Sequence, residues 1–124
     1  MRDSYFYPSD HEAFEFIMVP KALYEDAHYK GLPSGCVILY SLMLNRVSLS
    51  QQNNWFDEQL RVYIFFTIAE IMKIFSCARE KAVTMLETLQ LIGLVEKKRQ
   101  GLGKPNRLYV KKFKGCVPSH SRRA

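Results

Sequence analysis

The chain has 124 residues, 48% of them apolar, which suits one domain burying roughly two-thirds of its unfolded surface and sets aside a disordered polymer. Its net charge of +6 is unevenly placed: residues 1 to 93 carry eight Lys/Arg against eleven Asp/Glu, and residues 94 to 124 carry ten against one. The longest apolar run, Cys36 to Leu44, is interrupted by Ser41 and falls far short of the roughly 20 residues of a membrane-spanning helix.

Residues 1 to 16 show turn formers (Pro8, Ser9, Asp10) and no periodicity, and are expected to form an N-terminal arm whose Phe14, Phe16 and neighbouring Ile17 dock on a domain spanning 17 to 113. No charged segment precedes an apolar run there, so no secretory leader is expected. Val19-Pro20-Lys21 places a proline where a first helical turn accepts it, and predicts a short helix over about 20 to 29. After the break Gly31-Leu32-Pro33-Ser34-Gly35, residues 36 to 48 are apolar on nearly all sides, and their length favours a buried central helix over a strand. Ser48 to Asn54 reads as a loop. The aromatic and β-branched run Val62 to Phe66 reads as a short strand.

Thr67-Ile68-Ala69-Glu70 is a capping box and predicts a helix from 67 to about 75. Ser76 is placed to cap a second helix over 77 to 92, and Gly93 to stop it. Two strands follow, Leu94 to Arg99 and Arg107 to Phe113, joined by a tip built on Gly101, Gly103 and Pro105. Residues 114 to 124 are expected to be a flexible tail or the start of a linker. The order of helix, helix, strand, helix-turn-helix and basic hairpin is that of an α+β, mostly helical winged helix.

That order gives the basic segment a role. Residues 95 to 113 hold seven Lys/Arg against the single acid Glu96, as a wing lying along phosphates would. Lys97, Lys98, Arg99, Lys104, Asn106 and Arg107 are the expected wing contacts, with Lys111 and Lys112 beyond them. An ordinary solvated hairpin, kept from edge pairing by its lysines, is the plain alternative. Arg79, Lys81, Thr84 and Thr88 are the expected base-side residues of the second helix, where arginine can pair with guanine; Gln90 lies farther along. Trp55-Phe56 can stack on single-stranded bases or staple a loop to the core.

Chemistry other than binding finds little support. His11, His28 and His120 are scattered, no H-E-x-x-H or Cys/His metal spacing occurs, and Asp57-Glu58 stands without companions. Gly-Leu-Gly-Lys-Pro at the hairpin tip lacks phosphate-loop spacing. No catalytic residue, metal or cofactor is therefore expected. Cys36, Cys77 and Cys116 lie about 40 residues apart and read as reduced thiols of a cytoplasmic protein.

From about Phe16 to Val110 the chain also resembles the N-terminal domain of the plasmid replication initiator A family. The resemblance rests on Val19-Pro20-Lys21, Leu39-Tyr40-Ser41-Leu42, Asn45 to Ser50, Asn54 to Glu58, Val62-Tyr63-Ile64, Leu89, Gly93-Leu94-Val95 and Arg99 to Asn106. It implies binding to repeated double-stranded origin DNA, self-association through this domain, and contacts with host replication proteins through a separate C-terminal domain. Phe14, Phe16, Val37 and Tyr40 are the expected apolar material for a homodimer. The chain departs from the family pattern at Cys36-Val37, where a basic residue is expected, and at Gln59-Leu60, which withdraws the glycine of a tight turn over 58 to 61. A winged-helix transcription regulator and a winged-helix scaffold for an acidic protein partner remain open on the sequence.

Overall fold

The fold is built on the second helix of the chain, against which the fourth helix and the second strand of the hairpin pack. Residues 4–9 and 15–115 are described in this computed structural model; Phe14, His11, His120, Cys116 and the tail from 116 onward lie outside them. The elements are α1 (Ala22–Glu25), α2 (Ser34–Gln52), α3 (Ile68–Phe75), α4 (Arg79–Leu91), β1 (Val95–Lys98) and β2 (Arg107–Val110). Among the described residues this is an α+β, mostly helical winged helix, as the element order implied.

Because α2 is apolar all round, it can sit at the centre. Val37, Leu39, Tyr40 and Met43 are completely buried, and α2 packs against α4 and β2. Two boundaries differ from the sequence reading. The predicted loop over 48 to 54 is mostly helix, since α2 runs on to Gln52 and buries Ser50. It ends where Asn54 takes a left-handed φ of 59°, a conformation asparagine tolerates better than most residues. The helix expected over 20 to 29 is a single turn, Ala22–Glu25, and the chain then turns with the Asp26 carboxylate accepting the His28 N–H.

Val37 and Tyr40 cannot serve a dimer contact, because both are consumed by the chain's own core. The Tyr40 hydroxyl donates to the Lys111 carbonyl at 2.6 Å, fastening the segment after β2 to α2. Phe16, by contrast, is 77% exposed.

The capping box forms as the sequence indicates. Thr67 Oγ1 accepts the Glu70 N–H at 3.1 Å and Glu70 Oε1 accepts the Thr67 N–H at 3.0 Å. Ser76 does not cap the next helix: it adopts φ 50°, ψ 49° at the end of α3, and Ala78 occupies the N-cap position of α4 without a side-chain bond. The left-handed step at Ser76 makes the sharp turn between the helices, and α4 therefore starts at Arg79, two residues later than expected. At its other end the N–H groups of Gly93 and Leu94 reach the carbonyls of Gln90 and Leu89, the paired bonds of a glycine-terminated helix.

In the wing, Val95, Glu96, Lys97 and Lys98 pair with Val110, Tyr109, Leu108 and Arg107. The strand expected at 62 to 66 is reduced to two isolated bridges, Val62 to Phe56 and Ile64 to Leu108, the latter exchanging both backbone bonds at 2.8 and 2.9 Å. Phe66 already leads into the Thr67 cap, and the Ile64–Leu108 rung ties the wing to the loop that precedes α3.

Candidate nucleic-acid interface

Helix α4 divides into faces that follow from its 100° per residue. Ala82, Met85, Leu86 and Leu89 point into the core, and Met85, Leu86 and Leu89 each contribute about 1.5–3 kcal/mol on burial. Glu80, Thr84 and Leu91 form the outer crest; Leu91 is 89% exposed. Arg79, Val83, Glu87 and Gln90 lie within about 80° of arc on the flank that faces the wing.

Between that flank and the wing runs an open groove of about 470 Å³, lined on the helix side by Arg79, Val83, Glu87 and Gln90 and on the wing side by Lys97, Arg99, Lys104 and Asn106. Thr67, at the cap of α3, closes one end. Four cations face a single carboxylate there, and among the described residues neither ion pair involves any of them. A positively charged slot of this kind accepts a polyanionic strand and attracts it before contact.

The structure thus brings together Arg79, Lys97, Arg99, Lys104 and Asn106 out of the residues singled out in the sequence, and sends the others elsewhere. Thr84 stands on the outer crest of α4. Lys81 and Thr88 lie on the flank toward α2: burial pushes the Cys36 thiol up, while a hydrogen-bonding contact with Thr88 and the charge of Lys81 oppose that rise. Lys98 and Arg107 are cross-strand partners on the face opposite Lys97, because strand side chains alternate. Arg107 lies over the Tyr63 ring at 4.3 Å.

That second face is braced by a carboxylate the sequence reading had left without a role. Asp57 accepts from the N–H groups of Gln59 and Arg61, from Arg61 Nε at 2.8 Å and from the Tyr109 hydroxyl at 3.0 Å. Burial alone would push its carboxyl up, but the Arg61, Tyr109 and Gln59 donors overcome this and hold it well below the ordinary carboxylate range. Glu58 is exposed, so the acidic pair does not form one site. The tight turn over 57–61 forms without glycine, with Leu60 taking φ 63°. Trp55 stacks on Tyr63 and meets Phe65 edge-on, which makes it a staple for this loop.

The profile of the family described as the N-terminus of replication initiator protein A, RepA, matches residues 15–120. The chain belongs to the RepA N-terminus family. It is 30% identical over 92 residues to a 41 kDa protein of Lactobacillus helveticus, a match covering 74% of this chain and 26% of that protein. The chain thus spans about a quarter of the length of that relative. A solved N-terminal domain of a DNA-binding protein superposes with a TM-score of 0.74 at 30% identity, over 98% of this chain and 93% of the other. A Rep–DNA complex gives 0.73 at 30% identity over 97% and 92%, and an MDR initiator gives 0.67 at 27% over 88% and 84%.

Within this RepA N-terminus fold, Val83 and Glu87 are the groove residues that sequence reading missed. The spacing carried the signal: once Arg79 is placed beside the wing, positions four, eight and eleven residues on share its flank. Nothing in the sequence marks which flank the wing covers, because that depends on the crossing of α4 by β1.

Proposed function

We propose that this chain is the module through which a replication initiator binds its origin DNA, with α4 in the major groove and the wing clamping the adjoining backbone. The observation that carries the reading is the shared groove, in which Arg79 from the helix and Lys97, Arg99 and Lys104 from the wing converge with no acid to neutralise them except Glu87. A phosphate strand lying in that slot puts the exposed face of α4 against base edges. Arg79 and Gln90 have the hydrogen-bonding forks that suit guanine and adenine edges. The likeness to a Rep–DNA complex at 30% identity supports DNA binding by a module of this kind.

In this reading the module binds and positions DNA in the cytoplasm and performs no chemical step. Among the described residues no helix is long and apolar enough to cross a membrane. Self-association stays with this module in the reading, while contacts with host replication proteins belong to the longer initiator; the 92 matched residues are 26% of the relative from Lactobacillus helveticus, which is therefore about three times this length. The test is selection of bound duplexes from a random-sequence pool by this chain, followed by titration of the selected site at two salt concentrations. Enrichment of a defined site, with affinity falling steeply as salt rises, is the expected result; no enrichment and no salt dependence would refute it.

A further inference from the structure

The tip of the wing carries a residue that a phosphate clamp does not need. Leu102 is fully exposed, at 103% of its reference surface, in a hairpin tip whose other residues are glycines, Pro105 and polar or cationic side chains. Single exposed leucines are ordinary on protein surfaces, and exposure by itself means little. The way this one is held is another matter. The Lys104 N–H bonds back to the Gly101 carbonyl at 3.3 Å, and Gly103 sits at φ 77°, the positive value that the third residue of such a turn requires. Below the turn, the Gln100 side-chain amide donates to the Pro105 carbonyl at 2.8 Å and closes the loop at its base.

Leu102 is therefore presented at the apex of a fixed turn. Both neighbours are glycines, Gly101 and Gly103, and a Cβ added at either would meet nothing within 4 Å. Their positive φ values, 124° at Gly101 and 77° at Gly103, are what call for glycine there. A consequence is a narrow apex, on which Leu102 has no side chain immediately beside it.

The groove supplies the direction. If a phosphate strand runs between Arg79 and the row Lys97, Arg99 and Lys104, the major groove lies on the α4 side of it and the neighbouring minor groove lies under the tip. That groove is only about 6 Å wide, which a bare turn can enter and a broader loop cannot. Apolar wedges entering there part a base step and bend the duplex. We infer that Leu102 is such a wedge, seated by the wing in the minor groove beside the site read by α4, and that the chain bends its DNA there. This rests on the DNA-binding reading above.

The experiment uses the duplex selected by this chain, with dyes at its two ends and 2-aminopurine placed in turn at each step flanking the α4 site. Wild type is expected to shorten the end-to-end distance and to raise the 2-aminopurine signal at one step. Leu102→Ala should abolish both, lower affinity roughly ten-fold and leave the salt dependence unchanged, while Leu102→Met should restore both. Lys104→Ala should flatten the salt dependence by about 0.9 in logarithmic slope and keep the unstacked step. If Leu102→Ala binds and bends as wild type does, the wedge is refuted and the DNA reading stands. If Leu102→Ala loses affinity with no step ever unstacked, the residue contacts something other than a base step and the inference is equally overturned. If wild type selects no duplex, the DNA reading itself fails, and the wedge falls with it.

Discussion

Glu70 does two jobs that can be separated by substitution. One carboxylate oxygen accepts the Thr67 N–H at 3.0 Å and the other meets Arg46 Nη1 at 2.9 Å, and Thr67 returns its own bond to the Glu70 N–H. Glu70→Gln keeps an oxygen for the cap and discards the charge. The Arg46 and Glu70 side chains are 32% and 40% exposed, so solvent screens the pair and its loss should cost about 0.5 kcal/mol. Thr67→Ala removes the cap acceptor and should cost about 1 kcal/mol. Glu70→Ala loses both roles and should cost about 1.5 kcal/mol. Urea unfolding followed by circular dichroism measures all three, with a melting-point change of about 4 °C per kcal/mol for a chain of this size. High salt should shrink the Glu70→Gln effect and spare that of Thr67→Ala. Equal costs for Glu70→Gln and Glu70→Ala would show that only the charge of Glu70 matters and that its bond to the Thr67 N–H contributes nothing.

Stability should fall in acid. Burial would raise the Glu70 carboxyl, but the Thr67 N–H and Arg46 hold it below its ordinary 4.5, and Asp57 is held below its ordinary 3.8. Groups depressed in this way stabilise the fold fully above those ordinary values and lose the contribution progressively as pH falls from them through the lower values held in the fold. Melting temperatures between pH 7 and 3 should therefore decline below about 4.5, and Glu70→Gln and Asp57→Asn should each flatten the decline; a flat profile in wild type would contradict this. At the 57–61 turn, Leu60→Gly exchanges left-handed strain for chain entropy and should raise stability by about 0.5 kcal/mol, since Leu60 is 78% exposed and gives up little burial. Leu60→Val should lower stability, and the reverse order in a thermal melt would show that the turn is not strained.

The fold was legible where local chemistry and tertiary structure agree. Thr67 and Glu70 cap α3, Gly93 ends α4, and the two basic strands pair because each signal is satisfied by residues close in sequence. It was misread where one conformation could serve two roles. Ser76 has the side chain of an N-cap, but the turn needed a left-handed residue there. Val62 to Phe66 has strand composition, yet it makes only isolated bridges, to Phe56 and to Leu108, before the α3 cap begins. The candidate site was half legible: cations on the wing and the leading Arg79 are visible in the sequence. Which of them share a groove is not, because Lys97 and Lys98 differ only by the side of the strand they occupy, and Lys81 and Arg79 by the flank of one helix.

The most direct measurement compares Arg79→Ala and Lys104→Ala on the selected site and on random duplex across a range of salt. Arg79→Ala should cost about 1–3 kcal/mol on the selected site, less on random DNA, and flatten the salt slope less than Lys104→Ala does, since Arg79 reaches base edges as well as lining the phosphate slot. Lys104→Ala should weaken both duplexes alike and flatten the slope of log affinity against log salt by about 0.9. Equal losses on both duplexes for both substitutions would mean that α4 does not read sequence and that the groove is a non-specific clamp. Loss of discrimination from Lys104→Ala alone would mean that the wing reads and the helix only supports it.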